Sequence, residues 1–247
     1  MSTPPLFLLD ALPSGGELLL GGDEGRHAAR VKRLRPGEPV LVSDGAGGLL
    51  DCRVTAVVPD GLRLAVLDRR QEPEPEPRLV VVQALPKGER AELAVETMTE
   101  LGVDEIVPWT AARSVVQWRG ARGEKALERW RRTAREAAKQ SRRARVPVIT
   151  GAASTAEVAE RLKTAGLGLV LHEGAKLAFA AVALPGQPSP SDILLVVGPE
   201  GGIADDELAA FEAAGAAAVR LAAPVLRTST AGAAALAALS LRLGRWG

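Results

Sequence analysis

Apolar and polar positions follow two different rhythms along this chain. Up to Leu67 the apolar residues come in short runs, Glu17–Leu20, Pro39–Val42, Leu49–Val58 and Leu62–Leu67. Turn dipeptides separate them: Asp44-Gly45, Gly47-Gly48 and Asp60-Gly61. Short strands between such turns predict a small β-barrel or sandwich. Glu24–Leu34 breaks the pattern and predicts one or two helical turns, closed by Pro36-Gly37.

A second rhythm begins after Gln71–Pro77, QEPEPEP. Each Pro there removes an N–H and fixes φ, so the stretch can neither continue a helix nor pair as a central strand. It predicts an extended, self-repelling linker; a charged loop inside one domain is the alternative. Beyond it, strands are expected at Arg78–Leu85, Glu105–Trp109, Val146–Ile149, Leu167–Leu171, Ile193–Val197 and Ala218–Leu221. Helices are expected at Glu89–Leu101, with Gly102 as C-cap, and at Glu124–Arg143, Thr155–Thr164, Asp205–Ala214 and Thr230–Leu243. Strands alternating with helices imply a mainly parallel sheet covered on both faces. The expected division is residues 1–72, a linker over 73–77, and residues 78–247.

Composition adds exclusions. The 247 residues are 47% hydrophobic and 25% charged, an ordinary globular mixture. No apolar stretch reaches membrane-spanning length. The first residues, MSTPPLFLLDALPSGG, lack a basic leader and are interrupted by Asp10, so no signal peptide is expected. A single cysteine, Cys52, forbids an internal disulfide and fits a reducing, cytoplasmic setting. One cysteine and two histidines are poor material for a zinc site, and no metal is expected.

The net charge of +1 hides an asymmetry. Arg26–Arg35 carries five basic residues and no acidic one, and Ala111–Pro147 carries twelve against three. The remainder of the chain is therefore acidic. A basic face for a polyanion is one reading; solvated, salt-bridged helix surfaces are the other.

The common nucleotide signatures are absent: no G-x-G-x-x-G follows a strand, and there is neither a phosphate-binding P-loop nor a G-x-S-x-G elbow. Ile193–Gly202, ILLVVGPEGG, does stand out. An apolar strand runs into Gly198, Pro199, Glu200, Gly201 and Gly202, at the strand end where α/β sheets hold ligands. Leu221–Ala231, LAAPVLRTSTA, also leaves a strand and enters the last helix, with Arg227 among small and apolar neighbours. Its hydroxyls suit a helix cap. LVLHE ends a third strand at His172 and Glu173. Each segment alone is also compatible with an ordinary turn.

Together these segments resemble the SPOUT class of methyltransferases, and more narrowly the RsmE family of 16S rRNA (uracil N3) methyltransferases. Three further stretches match in order: Arg26–Glu38, the run from Lys87 through Thr99–Pro108, and Glu136–Pro147. The chain departs at Ser229, where the family pattern carries Glu. The resemblance implies a PUA-like β-barrel before a trefoil-knotted, mainly parallel α/β domain. It also implies a homodimer and S-adenosylmethionine as methyl donor. By position, the donor pocket would be lined by Leu171, His172 and Glu173, by Gly198–Gly202, and by Leu221 with Leu226, Arg227, Thr228, Ser229, Thr230 and Ala231.

Chemistry then assigns roles. Uracil N3 must lose a proton, and the charge left behind needs a fixed cation, for which Arg227 is the first candidate. Glu200 is a candidate proton acceptor or a turn-stabilising acceptor. N3 lies on the pairing edge, so the target should be unpaired or flipped out. The expected partner is 16S rRNA or the small ribosomal subunit, with no membrane. Arg26, Arg30, Lys32 and Arg33 with Gln140, Arg142, Arg143 and Arg145 are the candidate RNA contacts. The four tryptophans, Trp109, Trp118, Trp130 and Trp246, suit stacking on bases, though core packing is the commoner use. A ribose 2′-O-methyltransferase and a non-catalytic RNA-binding assembly factor are the competing readings.

Overall fold

The computed structural model describes residues 3–88, 90–186 and 189–246. Glu89, expected to open a helix, lies outside them. The chain forms two compact units. One comprises the described residues of Met1–Glu74 with Ala138–Val146, the other Pro75–Ala137 with the described residues of Pro147–Gly247.

The first unit is a five-stranded sheet, ordered β1-β3-β4-β5-β2. Its strands are β1 (Leu6–Leu8), β2 (Glu17–Leu20), β3 (Pro39–Ser43), β4 (Gly48–Val58) and β5 (Gly61–Gln71). All pairings are antiparallel except β1 with β3. Alternation works as expected: Leu18 and Leu20 of β2 point inward while Glu17 and Leu19 do not. They join Val40, Val42, Leu50, Cys52, Val54, Leu62 and Leu64 in one core. Burial there, with Asp51 nearby, pushes the Cys52 thiol up to about 11. β1 was not expected; the run Leu6–Leu8 is too short for periodicity to mark. Glu24–Leu34 turns once as α1 (Gly22–Arg26) and continues as a wider π-turn over His27–Val31.

Residues 138–146 belong to this unit because of a second apolar cluster. Ala144 and the half-buried Val146 pack with Leu6, Leu8 and Leu49. The buried Ser43 hydroxyl donates to the Ala144 carbonyl at 2.8 Å. The units therefore interleave along the chain instead of dividing it once at the linker.

In the second unit seven strands pair in parallel: β6 (Leu79–Ala84), β7 (Glu105–Trp109), β8 (Val148–Ile149), β9 (Leu167–Leu171), β10 (Leu177–Ala178), β11 (Ile193–Val197) and β12 (Ala217–Arg220). Their order is β10-β12-β9-β11-β6-β7-β8. This is the mainly parallel sheet that the sequence predicts. Its central strands β6 and β11 are buried along their whole length, which is why they read as unbroken apolar runs.

The helices are α2 (Arg90–Glu100), α3 (Gly120–Gln140), α4 (Thr155–Thr164), α5 (Asp205–Ala213) and α6 (Thr228–Arg242). On one face Val80, Val82 and Ala84 of β6 pack with Val158 and Leu162 of α4 and Phe211 of α5. Gln83 points the other way, toward Thr228 of α6. α6 packs beside α2. Local signals set the helix ends. Ser154 and Glu157 form a reciprocal capping box on α4. Gly102, at φ +92°, ends α2 where a side chain would be strained. Among the described residues, no helix is long and apolar enough to cross a membrane.

Candidate functional site

A cavity of about 260 Å³ in the second unit sits beyond the carboxyl ends of β9 and β11. Three segments build it. Leu171, His172 and Glu173 follow β9; Gly198, Pro199, Glu200 and Gly202 follow β11; Leu226, Arg227, Thr228 and Ala231 lead into α6. The three motifs singled out in sequence thus converge, because β9 and β11 are neighbours and β12 pairs with β9.

Leu221 lines an adjoining cavity of about 70 Å³ with Arg220 and Pro224. Gly201, Ser229 and Thr230 line neither. Gly201 is backed by Arg113, whose carbonyl oxygen would lie 3.1 Å from an added Cβ. Ser229 is buried in the first turn of α6. The Thr230 hydroxyl donates to the Arg227 carbonyl at 3.1 Å. Val197, Ile203 and Val225 complete the main cavity and were missed. Val197 and Val225 lie within the strand-end and loop motifs but were not counted as lining residues, and Ile203 follows the glycine motif by one position.

Hydrogen bonds hold the loops in register. The Thr228 hydroxyl donates to the Gly198 carbonyl at 2.6 Å and accepts from Gln83 Nε2 at 3.1 Å. That pins the loop before α6 to the turn after β11. Gly198 is required here: an added Cβ would lie 2.7 Å from Ile203 Cγ1. The Gly202 amide donates to the Pro199 carbonyl at 2.9 Å, closing the turn. The Gly174 amide donates to His172 Nδ1 at 3.1 Å, which leaves Nε2 to carry the proton of a neutral ring.

Two charged groups stand apart from this framework. Arg227 is exposed, caps α6 with its carbonyl, and forms no ion pair among the described residues. Glu200 is exposed at the rim, and its Oε1 accepts from the Lys87 amide at 3.4 Å. No group able to hold a metal ion occurs among the described residues.

The candidate RNA contacts separate in the first unit. Lys32, Gln140 and Arg142 come together around one cleft. Arg30 and Arg33 are exposed, and Arg33 adopts a positive φ of 55°. Arg26 pairs with Asp23 and reaches Asp60 at 4.0 Å. Arg143 is engaged by neighbours. Arg145 donates to the Glu72 and Pro73 carbonyls at 2.7 and 3.3 Å and faces Glu74 at 3.8 Å. Among the tryptophans, Trp109 and Trp130 are core residues, edge-on to Phe211 and Trp118. Trp246 is 39% exposed.

A pocket at the carboxyl ends of a parallel sheet is where an α/β fold holds its ligands, and comparison with known proteins makes the chain an RNA methyltransferase. The RNA methyltransferase domain model matches residues 72–240. The PUA domain model of RNA methyltransferases matches residues 20–67. The chain belongs to the ribosomal RNA small subunit methyltransferase E, or RsmE, family. The Mycobacterium tuberculosis member is 50% identical over 98% of this chain and 93% of its own length. The Bacillus subtilis member is 31% identical over 89% of this chain and 88% of its own. The crystal structure of the Neisseria gonorrhoeae member bound to S-adenosyl methionine superposes with a TM-score of 0.84 at 28% identity, covering 97% of this chain and 98% of that one.

Proposed function

We propose that this protein transfers a methyl group from S-adenosylmethionine to N3 of a uracil in 16S rRNA, in the cytoplasm. The observation that carries the proposal is the convergence of the three loops on one pocket with Arg227, which has no ionic partner among the described residues, at its edge. The pocket fits the donor chemically. Leu171, Val197, Ile203 and Leu226 offer apolar walls to an adenosyl group, and Glu173 and Glu200 offer negative charge to a sulfonium and an ammonium. Gly198 lets Ile203 of the pocket wall pack directly against the backbone of the turn. When bound, the donor supplies an electrophilic methyl.

The protein's own contribution is positioning and charge. Thr228, held between Gly198 and Gln83, fixes the backbone from which Arg227 projects. The Arg227 guanidinium faces charge that builds on the uracil oxygens as N3 is deprotonated. Glu200, steadied by the Lys87 amide, accepts that proton. Lys32, Arg142 and the exposed Arg30 and Arg33 hold phosphates of the RNA.

The knotted chain path and a homodimer are part of the same proposal. Leu93 on α2, with Leu241 in the last turn of α6 and Trp246 beyond that helix, supports self-association: these apolar side chains are 47%, 63% and 39% exposed. Light scattering should give twice the chain mass.

Mass spectrometry of nucleosides from 16S rRNA treated with the purified protein and donor is the direct test. It should yield 3-methyluridine. A 2′-O-methylated nucleoside would replace the base-directed reading, and no modification with intact donor binding would favour an assembly role.

A further inference from the structure

We propose that the first unit carries its own nucleotide site, which takes one unpaired nucleotide of the RNA other than the methyl acceptor. This rests on the RNA-directed reading above. The observation is a cleft of about 250 Å³ between the segment after α1 and the end of α3. Its size is just below the roughly 300 Å³ at which small-molecule pockets begin, enough for one base and too small for a duplex.

The lining supplies each kind of contact that a single nucleotide needs. No carboxylate lines the cleft, while Lys32, Lys139 and Arg142 do. Lys139 is committed to Glu24 at 2.8 Å. Lys32 and Arg142 form no ion pair among the described residues, so two cations remain for a phosphate. Arg142 adopts a positive φ of 57°, and its Nε donates to the Pro4 carbonyl at 3.0 Å. That bond leaves the two terminal nitrogens of the fork for an oxyanion.

The base contacts are equally distinct. The His27 ring stands edge-on to the buried Phe7 at 6.5 Å and offers a flat partner for stacking. Gln140 carries both a donor and an acceptor at the cleft and can pair with a base edge. Leu6 and Leu34 close the apolar side. A purely electrostatic patch would need the lysine and arginine alone; a histidine face and an amide beside them read a base.

The test uses the full chain and a fluorescent single-stranded oligoribonucleotide, titrated by anisotropy at several salt concentrations. Gln140→Ala and His27→Ala should each weaken binding about fivefold or more with an unchanged salt slope, since stacking and base-edge contacts release no counterions. Lys32→Ala with Arg142→Ala should flatten the slope by roughly 1.4. An abasic oligoribonucleotide of the same length should erase the difference between Gln140→Ala and the parent. Gln140 is exposed at the end of α3, so its variant keeps the inference testable even if His27→Ala fails to fold. Binding that depends on Lys32 and Arg142 but not on Gln140 or the bases would overturn the nucleotide site and leave RNA binding standing. Failure of the parent protein to bind the oligoribonucleotide would defeat both this site and the RNA-directed reading behind it. Donor binding by calorimetry, measured alongside, separates that result from loss of the methyltransferase pocket.

Discussion

The two ends of the parallel sheet treat charge in opposite ways. At the amino ends of the strands, Glu105 accepts from Arg161 at 2.5 Å and Arg78 at 2.6 Å. Arg78 also faces Asp192 at 3.6 Å, and Asp104 accepts from Arg245 at 3.0 Å and from the Leu79 amide at 2.8 Å. At the carboxyl ends, Arg227 has no ionic partner among the described residues and Glu200 only a long contact with one amide. Charge that is answered within the fold holds strands together. Charge left unanswered beside a cavity is available to a ligand.

Removing charge at each end tests that contrast. Arg227→Ala should lower the rate of methyl transfer at least about a hundredfold, as loss of one preorganised donor does, while donor affinity by calorimetry changes little. Unchanged turnover would remove Arg227 from the mechanism. Glu105→Gln should do the reverse. Breaking a fully buried pair costs about 3–5 kcal/mol. The two arginine side chains here are 34% and 33% exposed, so about 2 kcal/mol is expected. That is a fall of roughly 5 °C in Tm for a chain of this size, with little change in the rate of the surviving enzyme.

Gly198→Ala sharpens the carboxyl-end picture. The new methyl must displace Ile203, and calorimetry should show donor affinity falling about tenfold. An unaffected affinity would mean that the turn after β11 is not in the donor's path. The smallest effect is expected at Asp192. Burial raises its carboxyl above the ordinary 3.8, an effect that Arg78 partly offsets. A raised folded-state value means the fold disfavours the ionised form, so this group's contribution to stability falls as pH rises above that ordinary value. Asp192→Asn should match the parent below about pH 4 and melt higher at pH 7, by under roughly 2 °C. A variant less stable at pH 7 would make the Arg78 ion pair the larger influence.

Legibility in the sequence followed the same contrast. The strands of the second unit and the three loops could be read because buried runs and glycine turns are local signals. Thr155–Thr164, Leu167–Leu171 and Ile193–Val197 appear with the expected bounds. Arg227 stands out in sequence as a lone cation in a small-residue loop, and the structure puts it at the cavity. Pairings across distant segments could not be read. Gln83, buried beneath Thr228, looks like any residue of an apolar strand. Arg145 sits in a basic run, and nothing in that run shows that its guanidinium lies on the backbone of Glu72 and Pro73. Glu105, at the start of a strand, gives no hint that two arginines from distant segments meet it.

The interleaving of the units has a consequence for biosynthesis. Ser43 and the apolar trio Leu6, Leu8 and Leu49 wait for Ala144, which is made after α3. A nascent chain that has released only residues up to Glu74 holds every strand of the N-terminal sheet yet leaves this seam uncovered. That sheet can finish closing only once translation has passed Val146, by which time β6 and β7 have also emerged. A truncation at the Pro/Glu stretch, the obvious place to cut, would therefore yield a fragment with an exposed seam prone to sticking.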